Sequence, residues 1–273
     1  MKPKLILCIA ALTFSNLSTA ETVLNAPEYK PLNNVRVSMQ RMLRSSEGRY
    51  FLSLYAGIWN PHATLYDLIE DQAISLKGLQ KGDQLNLKSV DADPENITSR
   101  TYQLSGMLNA NSGDLKAMFA EGDDALGKSI QFEPAIKVID KPNFIFKFYG
   151  LDDIQQPYGS VLKRVDIVNK NNNSVVQALS GFSAFPKSIG YMDVNFDGYY
   201  DIVLSDISEE RTIQDKRYIY WMFNPKTQQF RRSPQLERII GFPKLHGDKQ
   251  QINFGDGQVY QVKDGLLNRV EDN

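Results

Sequence analysis

Residues 193–201 carry the clearest chemical signal in this sequence. They read D-x-N-x-D-G-x-x-D, so side chains with oxygen atoms recur at alternate positions and a glycine follows the third of them. Calcium binds about 6–8 oxygen atoms at roughly 2.3–2.6 Å, and a tight loop with this spacing supplies most of them. The predicted calcium ligands are the side chains of Asp193, Asn195, Asp197 and Asp201 and the backbone carbonyl of Tyr199.

An Asx-rich turn is the competing interpretation of this loop, because Asp, Asn and Gly dominate turns for local reasons. The regular spacing of the oxygen donors favours a metal site, and the number of donors favours Ca²⁺ over Mg²⁺ or Mn²⁺. An EF-hand is excluded, since its loop ends in a bidentate Glu at the position that Leu204 holds in this chain. The apolar residues 202–204 suit a strand, so we expect the loop on a β scaffold.

Residues 1–20 have the pattern of a secretory signal peptide. Lys2 and Lys4 precede an apolar run at residues 5–12, and small residues close the segment, which predicts cleavage before Glu21. The apolar run is too short to span a bilayer, and we expect no membrane span. The predicted location is therefore the periplasm, or the exterior of the cell.

Cysteine content and charge exclude several classes of function. Cys8 is the only cysteine, so the processed chain is expected to have no disulfide, no thiolate metal site and no thiol nucleophile. The formal net charge is −1, which gives no electrostatic reason to expect nucleic-acid binding.

Few residues point to catalysis. His62 and His246 are the only histidines, and neither belongs to a metal-binding spacing such as H-E-x-x-H. No serine lies in a G-x-S-x-G context. We interpret both histidines as surface or structural residues, assign no catalytic residue and expect that the protein is not an enzyme. A wall-polysaccharide hydrolase that uses two acids, with calcium in a structural role, is the less favoured alternative.

Strand patterns dominate the chain outside the loop. Residues 73–88 read as a hairpin, residues 144–148 alternate Phe with other residues, and residues 217–223 are rich in Tyr and Trp. Helical spacing is best at residues 35–43, and a further short turn is expected at Ile69 or at residues 234–240. These patterns predict a mainly β protein of antiparallel sheets, as a sandwich or a propeller-like meander in one or two packed units, with few short helices.

A change of pattern near the middle of the chain predicts two domains. Pro134 and Pro142 bracket this change. We expect an N-terminal β-rich domain at residues 21–138 and a C-terminal β-rich domain with the calcium loop at residues 139–273. A single continuous β structure is the alternative. Because only one copy of the loop is present, a full propeller of such repeats is not expected.

The loop and the apolar residue after it, Ile202, resemble the calcium loops of FG-GAP repeats in integrin α propellers. With the later segment Tyr220-Trp-Met-Phe-Asn-Pro-Lys-Thr-Gln-Gln-Phe230, the chain resembles a family of exported bacterial calcium-binding proteins. Known members of that family are periplasmic immunity proteins that inhibit lysozyme-like peptidoglycan hydrolases. The similarity is looser over the first half, where it includes Leu76-Lys77-Gly78 and Leu104-Ser105-Gly106.

This resemblance implies a calcium-binding periplasmic protein that inhibits, or gives immunity to, a peptidoglycan hydrolase. No segment matches the family's inhibitory loop, and a large residue, Leu7, precedes Cys8 where a lipoprotein signal needs a small one. A soluble periplasmic protein is therefore expected, with a peptidoglycan hydrolase or another envelope protein as its partner. An envelope structural or adhesive module is the main alternative.

Overall fold

The computed structural model describes residues 29–90, 101–122, 127–152, 158–208, 210–263 and 265–270. The predicted signal peptide, its cleavage site and Cys8 lie outside these residues. Strands make up most of the described chain, and pairing between them is antiparallel except where β2 meets β13, which confirms a mainly β fold. Among the described residues, no helix is long and apolar enough to cross a lipid bilayer.

The strands alternate with short turns along the whole chain. Those in the first half are β1 (Lys30–Pro31), β2 (Val37–Ser45), β3 (Tyr50–Ala56), β4 (His62–Asp67), β5 (Gln72–Lys81), β6 (Gln84–Ser89), β7 (Tyr102–Leu108), β8 (Leu115–Glu121) and β9 (Lys128–Pro134). Those in the second half are β10 (Phe144–Asp152), β11 (Ser160–Asn169), β12 (Val175–Leu179), β13 (Ala184–Met192), β14 (Asp201–Asp206), β15 (Tyr218–Asn224), β16 (Gln229–Arg232), β17 (Lys244–His246), β18 (Gln251–Asn253), β19 (Val259–Lys263) and β20 (Leu266–Arg269). A 3₁₀ turn lies at Ile213–Asp215, and helix α1 lies at Pro234–Glu237.

Strands β2 to β9 close into an eight-stranded barrel. Each strand pairs antiparallel with the next, and β9 pairs back with β2, where Leu43 faces Pro134. Alternate residues of a strand point to opposite faces, so one apolar set fills the interior. The interior core is formed by Leu43, Tyr50, Leu52, Leu54, Ala56, Ala63, Leu65, Ile74, Leu76, Leu85, Leu87, Tyr102, Leu104, Leu108, Leu115, Ala117, Ile130 and Phe132.

Two glycines permit close approach of neighbouring strands in the barrel wall. A Cβ atom at Gly78 would overlap the carbonyl oxygen of Asn86, and one at Gly106 would overlap that of Lys116. Any larger residue would push these strands apart, so both positions require glycine.

A second sheet follows the barrel, and strand β2 joins the two. Strands β10, β11 and β12 pair in that order, and strands β13, β14, β15 and β16 also pair in that order. The two groups are connected where β11 pairs with β13. Residues 37–39 of β2 pair in parallel with residues 189–191 of β13. The predicted boundary near residue 138 falls between β9 and β10, and β2 hydrogen-bonds to strands on both sides of that boundary. The division into domains 21–138 and 139–273 stays a prediction.

The helix predicted at residues 35–43 is wrong, because these residues belong mainly to β2. Leu43 packs in the barrel interior, whereas Met42 packs in a different core on the outer face of the barrel. Burial on both faces of one strand produces an apolar spacing that looks helical in the sequence. The short turn predicted at residues 234–240 is confirmed by α1.

This second core lies where the barrel, the second sheet and a small sheet of β17–β20 meet, and we call it the junction core. Met42 and Phe51 reach it from the outer face of the barrel, and Val203 and Tyr220 reach it from β14 and β15. Its remaining buried members are Met192, Val194, Phe196, Leu236, Ile239, Leu245, Ile252, Phe254 and Val262. Two of these residues, Val194 and Phe196, belong to the predicted calcium loop.

The barrel interior predicts a contrast between two leucines of β5. Leu76 is 1% exposed and Leu79 is 75% exposed. We expect Leu76→Ala to lower the free energy of unfolding by about 2–5 kcal/mol, because it removes packed atoms and leaves a cavity. The control Leu79→Ala is expected to change it by less than about 0.5 kcal/mol. Urea denaturation measures both values, and equal costs would contradict the inward orientation of Leu76.

Candidate metal centre and the adjoining cleft

The predicted calcium loop connects two paired strands. Strand β13 ends at Met192 and β14 begins at Asp201, and these two residues face each other in the antiparallel pair. The loop between them is anchored by two apolar side chains, since Val194 is 1% exposed and Phe196 is 7% exposed in the junction core. The sequence thus forms a short connection whose alternate residues are buried, which leaves the intervening positions for polar side chains.

Gly198 is required by both the backbone and the space around it. Its φ of 88° lies in the left-handed region, where glycine has no steric penalty. A Cβ atom there would lie 2.6 Å from Val138 Cγ1 and 2.8 Å from Ile136 Cγ2. The segment between β9 and β10 therefore packs directly on the loop. Phe196 also has a positive φ, 56°, which its burial in the junction core offsets.

Backbone N–H groups of the loop donate to the two buried carboxylates. Asp193 accepts hydrogen bonds from the amides of Asp197, at 3.0 Å, and Gly198, at 2.9 Å. Asp201 accepts one from Val194, at 2.9 Å, and one from Phe223 of β15, at 2.8 Å. Asp201 thereby ties the start of the loop to a neighbouring strand.

Asp197 and Asn195 complete the internal bonding of the loop. The amide of Tyr199 donates to Asp197 at 2.9 Å, and the side-chain amide of Asn195 also donates to Asp197 at 2.9 Å. Within the described residues, no three His, Cys, Asp or Glu side chains are arranged as a group that could hold a metal ion. The structure thus places the predicted ligands in one loop, where Asn195 and Asp197 bond to each other.

The loop concentrates negative charge in a buried place. Asp193 is 4% exposed and Asp201 is fully buried, and no Lys or Arg of the described chain forms an ion pair with either. Burial, with the charge of Asp197, raises the pKa of Asp193 to about 7. Burial also raises the pKa of Asp201 well above its usual range, with the charge of Asp193 acting in the same direction.

The donor chemistry of the loop fits a hard cation. Carboxylate and carboxamide oxygens are the ligands that Ca²⁺ prefers, and a cation would offset buried carboxylates for which the described residues provide no ion pair. A half-turn of the Asn195 amide would present its oxygen in place of the N–H that now donates to Asp197. Asp206, at the opposite end of β14, forms an ion pair with Arg211 and accepts the amide of Ser208, so it contributes no ligand to the loop.

A cleft opens beside the loop between the mouth of the barrel and the second sheet. Its volume is about 450 Å³, within the roughly 300–1,000 Å³ range of small-molecule sites. Tyr199 and Tyr200, which lie inside the predicted calcium loop, form part of its wall. The other lining residues are Val37, Met39, Arg41, Ala110, Asn111, Ser112, Lys141, Pro142, Asn143, Phe144, Phe146, Phe148, Ile189, Tyr191 and Ile202.

No sequence pattern reveals this cleft, because its lining residues come from separate parts of the chain. The alternating Phe residues of β10 were the visible signal, since they indicated one apolar face. The Phe residues did not indicate which other strand would pack against that apolar face. The cations Arg41 and Lys141, which give the cleft its charge, had no motif in the sequence.

The two histidines also meet in one place, in a separate cavity of about 270 Å³. The His62 ring stacks on Tyr55 at 4.6 Å, and His246 Nδ1 lies 3.1 Å from the hydroxyl of Tyr66. His62 Nδ1 lies 2.8 Å from the carbonyl oxygen of Asn60. These contacts agree with the interpretation of both residues as structural.

Comparisons with known proteins give no family for this chain. No protein-family model matches the sequence, and no curated protein matches it. The resemblance to FG-GAP loops and to calcium-binding immunity proteins therefore stays a prediction from the sequence.

The environment of His246 predicts a pH-dependent stability. Burial lowers the pKa of His246, Lys249 and Lys244 act in the same direction, and Asp248 opposes them. The neutral ring is therefore favoured by folding, so its contribution is complete above about pH 6.5, the unfolded value, and is lost as pH falls through the lower folded pKa. We expect the stabilisation that His246 contributes to fall between pH 7.5 and pH 5.5. The raised pKa of Asp193 acts in the opposite direction over this range, so the His246 contribution is read from the difference between wild type and a His246 variant.

The test compares variants of the two histidines. Relative to the wild type, His246→Gln is expected to gain stability on going from pH 7.5 to pH 5.5 in urea denaturation, because it removes the titrating ring. His62→Gln serves as the matched control and is expected to change with pH as the wild type does. An identical change with pH in wild type and His246→Gln would contradict the prediction.

Proposed function

We propose that the protein is a calcium-binding, non-enzymatic binding protein of the bacterial envelope, in which the metal loop holds one wall of a ligand cleft. One observation carries this proposal. The same short loop inserts Val194 and Phe196 into the junction core and presents Tyr199 and Tyr200 to the cleft. A metal ion that holds the loop in one conformation would therefore also hold Tyr199 and Tyr200 in place in the cleft wall.

Calcium is the ion that the loop chemistry favours. Asp193, Asn195, Asp197 and Asp201 would bind by side chain and Tyr199 by its backbone carbonyl. The buried carboxylates of the loop have no ion-pair partner among the described residues, so a cation would relieve their mutual repulsion. An ion that binds only the folded state stabilises that state by mass action.

The envelope location rests on the predicted signal peptide at residues 1–20. Loops with few charged ligands have dissociation constants of about 10⁻⁴–10⁻³ M in extracellular modules, so calcium outside the cytoplasm is sufficient to fill them. The predicted export and the predicted calcium site are thus consistent with each other, because an exported chain meets calcium at the concentration that such a loop needs.

The partner that the sequence favours is a peptidoglycan hydrolase. This part of the proposal rests on the resemblance of residues 191–230 to periplasmic immunity proteins. The cleft lining adds support for recognition, because it combines aromatic rings and amides with two cationic side chains. Such a set suits binding, and tyrosine and arginine are enriched where proteins bind their partners.

The calcium proposal predicts a thermal shift. Adding Ca²⁺ to chelator-treated protein is expected to raise Tm by several degrees, because a ligand at a hundredfold its Kd contributes about 2.7 kcal/mol and each kcal/mol shifts Tm by about 2–4 °C. Asp197→Ala is expected to abolish the shift. Asp83→Ala, which removes an exposed acid in the turn between β5 and β6, is the control and should retain it.

Differential scanning calorimetry with and without chelator measures these shifts, and titration calorimetry measures the binding directly. No Ca²⁺ binding by the wild type, or an equal shift in wild type and Asp197→Ala, would refute the site. Mg²⁺ provides a further comparison, because it demands a tighter octahedral geometry than this loop offers and is expected to give a smaller shift.

The partner proposal predicts enzyme inhibition. A secreted peptidoglycan hydrolase encoded beside this gene is the first enzyme to assay. We expect the calcium-loaded protein to inhibit it at a stoichiometric ratio in a cell-wall lysis assay, and Asp197→Ala to inhibit it less. Absence of both binding and inhibition would favour the structural or adhesive alternative.

A further inference from the structure

Arg41 lies at the mouth of the barrel with its hydrogen-bonding capacity only partly used. It shares one face of β2 with Leu43, which points into the barrel interior, and with Met39, which lines the cleft. Its residue exposure is 9%. Nη2 donates to the carbonyl oxygen of Ala110 at 2.8 Å, and the buried Nε finds no hydrogen-bond partner among the described residues.

No acid of the described chain pairs with this guanidinium. Arginine cannot lose its proton to escape burial. A buried cation without a counter-ion is costly, and proteins pair such groups or use them to bind anions. Arg41 is therefore a charged group to which the described residues supply no anionic partner.

Lys141 places a second cation in the same cleft. Its Nζ lies 5.3 Å from the centre of the Tyr200 ring, and it also has no ion pair within the described chain. Burial lowers the pKa of Lys141, and the charge of Arg41 lowers it further. Asp193, whose charge acts on Lys141, accepts hydrogen bonds from two backbone N–H groups of the loop.

Aromatic rings line the space next to these two cations. Phe146 packs edge-on against Tyr191 at 5.1 Å, and Tyr191 packs against Tyr200 at 4.9 Å. Ring faces and edges of this kind provide apolar contacts for a flat or cyclic part of a ligand. The cleft thus has a cationic side and an aromatic side, within a volume that suits a small molecule.

We propose that this cleft binds a small organic oxyanion, a carboxylate or phosphate carried on a ring-shaped body, with Arg41 and Lys141 holding the anionic group. The proposal deepens the binding function proposed above by naming the ligand class of its cleft. Arg41 offers the planar fork that matches carboxylate and phosphate oxygens, and Lys141 offers a mobile point charge. The rings of Tyr191, Tyr200 and Phe146 hold the body.

The test is titration calorimetry on the full calcium-loaded protein with four probes. N-acetylphenylalanine and phenyl phosphate carry an oxyanion on a ring and are expected to bind. N-acetylphenylalanine amide has the same body without the charge and is expected to bind at least about tenfold more weakly, the effect of losing one charge-assisted hydrogen bond. Inorganic phosphate, which lacks the ring, is also expected to bind more weakly than phenyl phosphate.

Lysine variants provide the matched pair. Lys141→Gln is expected to weaken binding of both ring oxyanions by about tenfold. Lys147→Gln changes an exposed lysine on strand β10 that does not line the cleft, and it is expected to leave binding unchanged. Arg41→Lys keeps the charge but loses the fork, and is expected to weaken binding by a similar factor. Circular dichroism verifies the fold of each variant, and Lys141→Gln decides the test if Arg41→Lys does not fold.

Several results would overturn the proposal. They are equal affinity for the acid and its amide, no binding of either ring oxyanion, or unchanged affinity in Lys141→Gln. Equal affinity for phosphate and phenyl phosphate would remove the role of the rings. The outcome is separable from that of the metal proposal, because a calcium-dependent rise in Tm without oxyanion binding refutes only the cleft ligand, and oxyanion binding without any effect of calcium refutes only the metal.

Discussion

Burial of β2 on both faces is the constraint on which the rest of the structure depends. One face of the strand adds Leu43 to the barrel interior, and the other adds Met42 to the junction core. Its N-terminal end leaves the barrel and pairs with β13. Strand β2 thus belongs to the barrel interior, the junction core and the pairing with β13. It thereby holds the barrel mouth, the second sheet and the predicted calcium loop in one arrangement, and the cleft lies where they meet.

The junction core extends this constraint to the loop. Val194 and Phe196 are buried among side chains from the barrel, the second sheet and the small sheet, so the intervening polar residues are confined to a narrow space. Asp201 then links the loop to β15 through the amide of Phe223. Four backbone N–H donors reduce the cost of burying these acids, but burial still raises their pKa values. A cation would favour their charged form, which is the physical reason that a cation suits the site.

The sequence predicted the mainly β fold and a tight loop with oxygen donors at residues 193–201, because both depend on local patterns. Alternation identifies a strand such as β4, and Asp, Asn and Gly at fixed spacing identify a tight turn with oxygen donors. The barrel closure and the cleft escaped prediction, since Leu43 meets Pro134 and Arg41 meets Ala110 across long separations in sequence. The wrong helix prediction at residues 35–43 has the same cause, because long-range packing is not visible in the sequence. Leu43 and Met42 pack in two different cores, so apolar residues occur on both faces of the strand and their spacing looks helical.

Charge connects the loop to the cleft. Tyr199 and Tyr200 belong to the loop and also line the cleft, and the charge of Asp193 in the loop acts on Lys141 in the cleft. In each place, like charges are gathered without a partner from the described chain, negative in the loop and positive in the cleft. A cation in the loop would cancel the charge of Asp193 and leave Lys141 and Arg41 more strongly positive toward an anion. By thermodynamic linkage, the anion would favour the cation by the same factor, so the two proposed ligands stabilise one another through the wall that they share.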